Sequence, residues 1–217
     1  MGIPYSQNPL GTRDAPYKRG QTLINVANGG KGKINLLRGV YYIRAQGGGG
    51  GGGDNSYFYN GGGGGSGAGF EGYIKILKPV LNIEVTTGGG GAGGNGRNKG
   101  GDTVIPYIMR CVGGGGGYNN DPGIGGALEL PGLNSTFTIV KSIIQRNGNN
   151  GNVPPNDGNH VSGGNSVLTN SGGGKGCAPA TAPGAGGGAG YAWNVNGQAG
   201  SYGECLIKYS GDYLINV

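Results

Sequence analysis

Residues 34–53 read INLLRGVYYIRAQGGGGGGG, an apolar β-branched and aromatic run that empties into seven consecutive glycines. The same junction recurs where LNIEVTT (residues 81–87) meets the glycines at 88–91, and where TVIPYIMRCV (residues 103–112) meets those at 113–117. The chain of 217 residues holds 58 glycines and 11 prolines. Such a composition without a period normally marks low complexity. Here the apolar residues are concentrated between the glycine blocks instead of being diluted among them. That segregation predicts real strands.

Working outward, strands are expected at residues 21–27 (QTLINVA), 34–46 with a bend at Gly39, 72–78 (GYIKILK), 80–87 and 103–112. Pro106 marks an edge or a bulge in the last of these. Further strands are expected at 127–133, 135–146, 191–195, 204–209 and 213–217, with a short one at most at 166–169. In GYIKILK the side chains alternate strictly, placing Ile74 and Ile76 on one face, and Pro79 stops the run. Asn28-Gly29 is a tight-turn signal, since both residues tolerate positive φ. The tail VKSIIQR of residues 135–146 could form a helical turn, but confident 3.6-residue periodicity is nearly absent. Residues 147–164 (NGNNGNVPPNDGNHVSGG) read as a long exposed loop.

Each ordered glycine loses more backbone entropy than any other residue. The blocks at 47–53, 61–69, 88–101, 113–126, 172–176 and 184–190 are therefore flexible linkers, isolated turns, or a packed bundle of polyglycine II helices. A polyproline-II-type segment of seven residues rises roughly 22 Å, the length of a β-strand, and only glycine lets such backbones pack on every side. The length of the blocks and their position directly after strands favour the bundle. There is no Gly-X-Y period, which excludes collagen, and no regular short repeat of the kind an ice-binding surface would use. The expected fold is all-β: an antiparallel, jelly-roll-like β-sandwich carrying a polyglycine II bundle, with almost no α-helix. Residues 1–20 are read as an extended basic arm and 21–217 as the glycine-rich domain.

A rigid bundle would display the non-glycine tips between its blocks: DNSYFYN (54–60), residues 95–99, YNNDP (118–122), CAPATAP (177–183) and YAWNVN (191–196). Tyrosine, asparagine, serine and glycine are also the contact residues of antibody loops. The candidate binding residues are Tyr57, Phe58, Tyr59, Tyr118, Asn119, Asn120, Tyr191 and Trp193. The bland alternative is that these side chains cover the bundle or fill a core.

The layout resembles the glycine-rich domain of bacteriophage tail-fibre and tail-tip proteins. The resemblance rests on GVYYIRAQGGGGGGG, on GYIKILKPVLNIEVTTGGGG as a hairpin, and on the closing GQAGSYGECLIKY, and spans residues 34–209. It implies a receptor-binding role for the tips. The chain is also similar to the detachable adhesins of T-even-type phages, from which its N-terminus departs. Its strand-and-polyglycine layout resembles the extracellular glycine-rich domain of anaplastic lymphoma kinase-type receptors as well, without their signal peptide or disulfides. The implied partners are a host-surface protein or glycan and a larger fibre or virion assembly, reached through the arm; a homo-oligomer is compatible with both. The implied location is a virion tail or a cell surface, without a cleaved signal peptide. The alternative is a self-assembling structural subunit of a filament or surface layer.

Catalytic signatures do not stand out. Gly-x-Gly-x-x-Gly arises by chance among so many glycines. A P-loop needs Gly-Lys-Ser/Thr, but Lys175 is followed by Gly176 and Lys33 by Ile34. His160 is the sole histidine, and Cys111, Cys177 and Cys205 form neither a zinc pattern nor a disulfide framework, leaving one Cys111–Cys205 bridge open. No enzyme, metal or cofactor is expected. Net charge is +6 and is concentrated at the start: Arg13, Lys18, Arg19, Lys31, Lys33, Arg38 and Arg44 face one acid, Asp14, before residue 45. This reads as solubility or docking to an acidic partner. Nucleic-acid binding is not expected, because the later aromatic clusters of the chain lack interleaved Lys and Arg.

Overall fold

The computed structural model describes residues 16–54, 61–94, 96–152, 161–175, 178–190 and 196–211. Among them are ten strands and no helix: β1 (Thr22–Ala27), β2 (Lys31–Leu36), β3 (Gly39–Gln46), β4 (Gly69–Ile76), β5 (Val80–Thr86), β6 (Thr103–Ile105), β7 (Met109–Cys111), β8 (Leu128–Glu129), β9 (Phe137–Arg146) and β10 (Glu204–Gly211). They form two antiparallel five-stranded sheets, ordered β1-β10-β3-β4-β9 and β2-β5-β6-β7-β8. Period-two alternation sends Tyr41, Ile43 and Ala45 of β3, Phe70, Ile74 and Ile76 of β4, and Cys205, Ile207 and Tyr209 of β10 to one face. There they share one hydrophobic cluster with Leu36, Ile83, Val85, Ile105, Met109 and Cys111 of the second sheet.

Several expected strands are redrawn. Residues 34–46 are not one bent strand: the chain leaves the second sheet at Leu36 and enters the first at Gly39, whose φ is 150°. β4 and β5 are likewise not a hairpin, because the turn at Pro79 crosses between sheets. Pro106 does not interrupt an edge strand. It lies in the turn of the β6–β7 hairpin, next to Tyr107 with φ 64°, because proline can donate to no ladder. Residues 127–133 are strand only at Leu128–Glu129, and 166–169 form a turn. The VKSIIQR tail is strand throughout, paired with β4 across two bulges at Val140 and Ile143. Asn28 and Gly29 have φ of 53° and 75°. The strands expected at 191–195 and 213–217 lie outside the described residues.

The glycine segments continue from the strand ends and hydrogen-bond to one another. Along residues 47–53 the donors take three neighbours in rotation. Gly47, Gly50 and Gly53 donate to Ala68, Gly65 and Gly62. Gly48 and Gly51 donate to Gly101 and Asn98, and Gly49 and Gly52 to Ser201 and Gln198. The carbonyls follow the same period: Gly49 and Gly52 accept from Gly91 and Gly94, Gly48 and Gly51 from Gly114 and Gly117, Gly50 and Gly53 from Gly187 and Gly190. The central segment is thus bonded to six others, antiparallel on its donor sides and parallel on its acceptor sides. Residues 62–68 repeat the pattern, donating to Asn152 and Asn149, Gly187 and Gly184, and Gly115 and Val112. Part of the expected exposed loop belongs here too: Gly148 and Gly151 donate to Gly126 and Gly123, and Gly164 to Gly64.

At the centre of this packing there is no room for an added side chain. A Cβ on Gly50 would lie 2.0 Å from the Gly115 carbonyl oxygen, whereas one on Gly89, at the margin, meets nothing within 4 Å. The strand-to-glycine junction is polar and buried. Thr103 Oγ donates to the Gln46 carbonyl at 2.7 Å and accepts from Gly88 N–H at 3.2 Å. The Gln46 amide, with its nitrogen toward the Pro183 carbonyl (3.1 Å) and its oxygen toward Val167 N–H (3.2 Å), satisfies both atoms. Asp102 closes the same junction on one side, accepting from Gly113 N–H (2.9 Å), Arg110 Nε (2.9 Å) and Lys99 Nζ (3.2 Å). Burial pushes its carboxyl upward, but the Gly113 N–H and the two cations outweigh this and hold it below the ordinary carboxylate range. Cys111 and Cys205 are free and buried, and burial raises both thiols, Cys111 to about 12.

Two outcomes follow. Gly50→Ala should lower unfolding free energy by about 3 kcal/mol or more, or prevent folding, while Gly89→Ala should be neutral or stabilising by up to about 1 kcal/mol, measured by denaturant melts. Asp102→Asn should destabilise by about 1 kcal/mol near neutral pH. Because the folded-state carboxyl is depressed, its stabilisation exists above the unfolded value and is lost as pH falls through the folded one. The wild-type and variant stabilities should therefore converge in acid.

Candidate functional site

Each segment of the bundle has a direction, and the directions place the loops. Residues 47–53, 91–94, 114–117, 148–152 and 187–190 run away from the sheets; 62–68, 98–101, 123–126, 161–164 and 198–203 return. The flanks of the intervening loops therefore meet at the end remote from the sheets. Gly53 donates to Gly62 (2.9 Å), Gly94 to Gly52 (3.0 Å), Gly190 to Gly53 (3.0 Å) and Asn152 to Ser162 (2.9 Å). Asp54 Oδ1 accepts from Gly197 N–H at 2.7 Å, joining two loop bases through a side chain.

At this end residues 118–121 form a tight turn, closed by Tyr118 N–H to Asp121 O (2.9 Å) and Asp121 N–H to Tyr118 O (2.8 Å). Asn119 takes φ 47°, a left-handed value that asparagine tolerates well. Tyr118 and Asn119 are half-buried, and Asn120 and Asp121 are exposed. Arg97, itself at φ 48°, lies over the Tyr118 ring at 4.9 Å and pairs with Asp121 at 3.1 Å. One face of the tyrosine is thus occupied by a guanidinium.

Of the sequence-derived candidates, Tyr118, Asn119 and Asn120 come together in this turn. Tyr57, Phe58, Tyr59, Tyr191 and Trp193 lie outside the described residues, as do His160 and Cys177. Arg97 and Asp121 were not singled out by sequence; a cation and an acid isolated within glycine-rich stretches were the available signal. The segment 177–183 is not wholly a tip. Ala180 N–H bonds Ala199 O and the Pro183 carbonyl reaches Gln46, so this stretch runs back to the sheet junction.

Among the described residues no group of three His, Cys, Asp or Glu is placed to hold a metal ion, and no helix is long and apolar enough to cross a membrane. A shallow groove of about 290 Å³ lined by Tyr17, Leu23, Lys33, Ile34, Asn35 and Asn82 lies near the other end of the molecule. There Tyr17 donates to the Asn35 carbonyl at 2.7 Å and packs edge-on against Tyr209. Neither a protein-family model nor a curated protein matches the chain.

The tip turn is anchored by backbone bonds, and its ion pair is exposed on both sides. Arg97→Ala should therefore lower the melting midpoint by no more than about 4 °C in differential scanning calorimetry, the equivalent of about 1 kcal/mol or less.

Proposed function

We propose that the chain is a non-enzymatic attachment module: a β-sandwich whose polyglycine II bundle holds a cluster of tip loops against a host-surface receptor. The observation that carries this reading is the convergence of the loop bases at one end of the bundle, remote from the sheets. The three-step rotation of hydrogen-bond partners is the spacing expected of a three-residue-per-turn helix, which supports polyglycine II over flexible linkers. A rigid support reduces the ordering that a contact loop must undergo on binding, and so favours affinity. The resemblance to phage tail-fibre and tail-tip domains points the same way, toward a receptor of protein or glycan chemistry on a bacterial envelope, with the sheet end and the N-terminal arm facing a larger fibre or virion assembly.

The alternative, a self-assembling subunit joined through strand edges, is disfavoured by β9. That edge strand carries register shifts at Glu71/Gly72 and Tyr73/Ile74 of its partner. The bulges leave Val140 and Ile143 exposed at 40% and 52% and interrupt the ladder that a second copy would extend.

The test is adsorption of purified protein to a panel of intact bacteria and isolated envelopes. On a strain that binds, replacing Tyr57, Phe58 and Tyr59 together with alanine should lower adsorption at least tenfold without moving the melting midpoint. Unchanged adsorption by the folded variant, or adsorption by no strain, would count against the tips as the contact surface.

A further inference from the structure

The first sheet has a second face, opposite the core. In β3, β4 and β10 the residues that alternate with the buried set are Tyr42 and Arg44, Glu71, Tyr73 and Lys75, and Leu206 and Lys208. The ladders align them across the sheet. Thr22 of β1 pairs with Lys208, Lys208 with Tyr42, Tyr42 with Tyr73, and Tyr73 with Lys141. One cross-strand row therefore reads lysine, tyrosine, tyrosine, lysine. Adjacent strands are about 4.8 Å apart, so the two lysines stand ~14 Å from each other at the backbone with the aromatic pair between them. Lys75, one step toward the far end of β4, adds a third cation beside Tyr73.

The tyrosine rings are 5.5 Å apart and tilted by 60°. Lys75 and Lys141 are exposed, and Tyr42, Tyr73 and Lys208 are partly exposed, so the row is open to solvent. Among the described residues none of the three lysines has an ion-pair partner. The two acids on this face are engaged. Glu71 accepts from the Tyr42 hydroxyl at 2.7 Å, which holds that ring in place, and Glu204 lies 2.9 Å from Arg44 Nε.

We propose that this face binds single-stranded nucleic acid. A sheet that sets aromatics on two adjacent inner strands, with unpaired cations on either side, supplies the two parts such ligands require: rings on which bases stack and cations that track the phosphates. A plain cation patch serving an acidic protein would have no use for the paired rings at its centre. Tyr42 with Arg44 and Tyr73 with Lys75 each set a ring and a cation two residues apart on one strand, but the two rings belong to different strands and meet only across the β3–β4 ladder. The site is independent of the tip loops, and neither proposal needs the other.

The test uses the full chain and a fluorescein-labelled oligothymidylate, with binding followed by anisotropy. Binding should be detectable below about 100 µM at about 50 mM salt, and log affinity should fall against log salt with a slope of about −2 for three lysine contacts. Lys141→Gln or Lys208→Gln should each reduce that slope by about 0.7. Tyr73→Ala should weaken binding about tenfold while Tyr73→Phe retains it, since stacking needs the ring and not the hydroxyl. Photo-crosslinking of wild-type protein to an iodouracil-substituted oligonucleotide should map to Tyr42 or Tyr73, which keeps the test decisive if Tyr73→Ala does not fold. Absence of binding, crosslinks confined to other surfaces, or equal affinity for heparin with no loss in Tyr73→Ala would each overturn the assignment.

Discussion

The structure depends on one constraint: backbone N–H and C=O groups that leave water must find partners, and an unpaired buried group costs about 1–3 kcal/mol. In an ordinary interior, ladders meet that demand and side chains fill the space between them. Here the central segment, residues 47–53, meets it with six neighbouring backbones and nothing between them. Every partner lies at ordinary hydrogen-bond distance only because the space a Cβ would need is already filled by a carbonyl, as at Gly50 against Gly115. Glycine is therefore a geometric requirement of this packing.

The same constraint explains the junction. A strand exposes its hydrogen bonds in one plane, whereas the glycine segments direct theirs around the axis, so the change of geometry at Gln46–Gly47 must be bridged. Thr103, Gln46 and Ser166 do this in the buried interior, where their hydroxyl and amide groups link segments that no ladder connects. Asp102 does it at the surface, drawing together Lys99, Arg110 and Gly113. The apolar cluster of the two sheets ends at this polar layer, and Cys111 and Cys205, either side of it in sequence, remain reduced and shielded.

Much of this is legible in the sequence. Alternation in GYIKILK set Ile74 and Ile76 on one face, which is the buried one, and Asn28-Gly29 marked its turn. What escaped was long-range. Residues 34–46 read as one strand with a bend at Gly39, and nothing local says that Leu36 and Gly39 belong to different sheets. The stretches 148–152, 161–164 and 197–203 hold too few consecutive glycines to resemble the long blocks, yet they pack with them because their backbone spacing, not their composition, is what the neighbours need. The tips were readable as interruptions of glycine; that Arg97 would stack on Tyr118 depended on a left-handed φ at Arg97, which no sequence pattern announces.

The main-chain cohesion of the bundle also separates two kinds of change. Most of the bonds that hold the loop bases are made by backbone atoms, with Asp54, Asn98 and the Arg97–Asp121 pair as side-chain additions, so a loop can be lengthened, shortened or rewritten while most of its support is kept. The support itself tolerates almost no substitution at its centre. Such a molecule is a socket board: its frame is frozen by steric necessity, and its inserts are free to diverge one at a time.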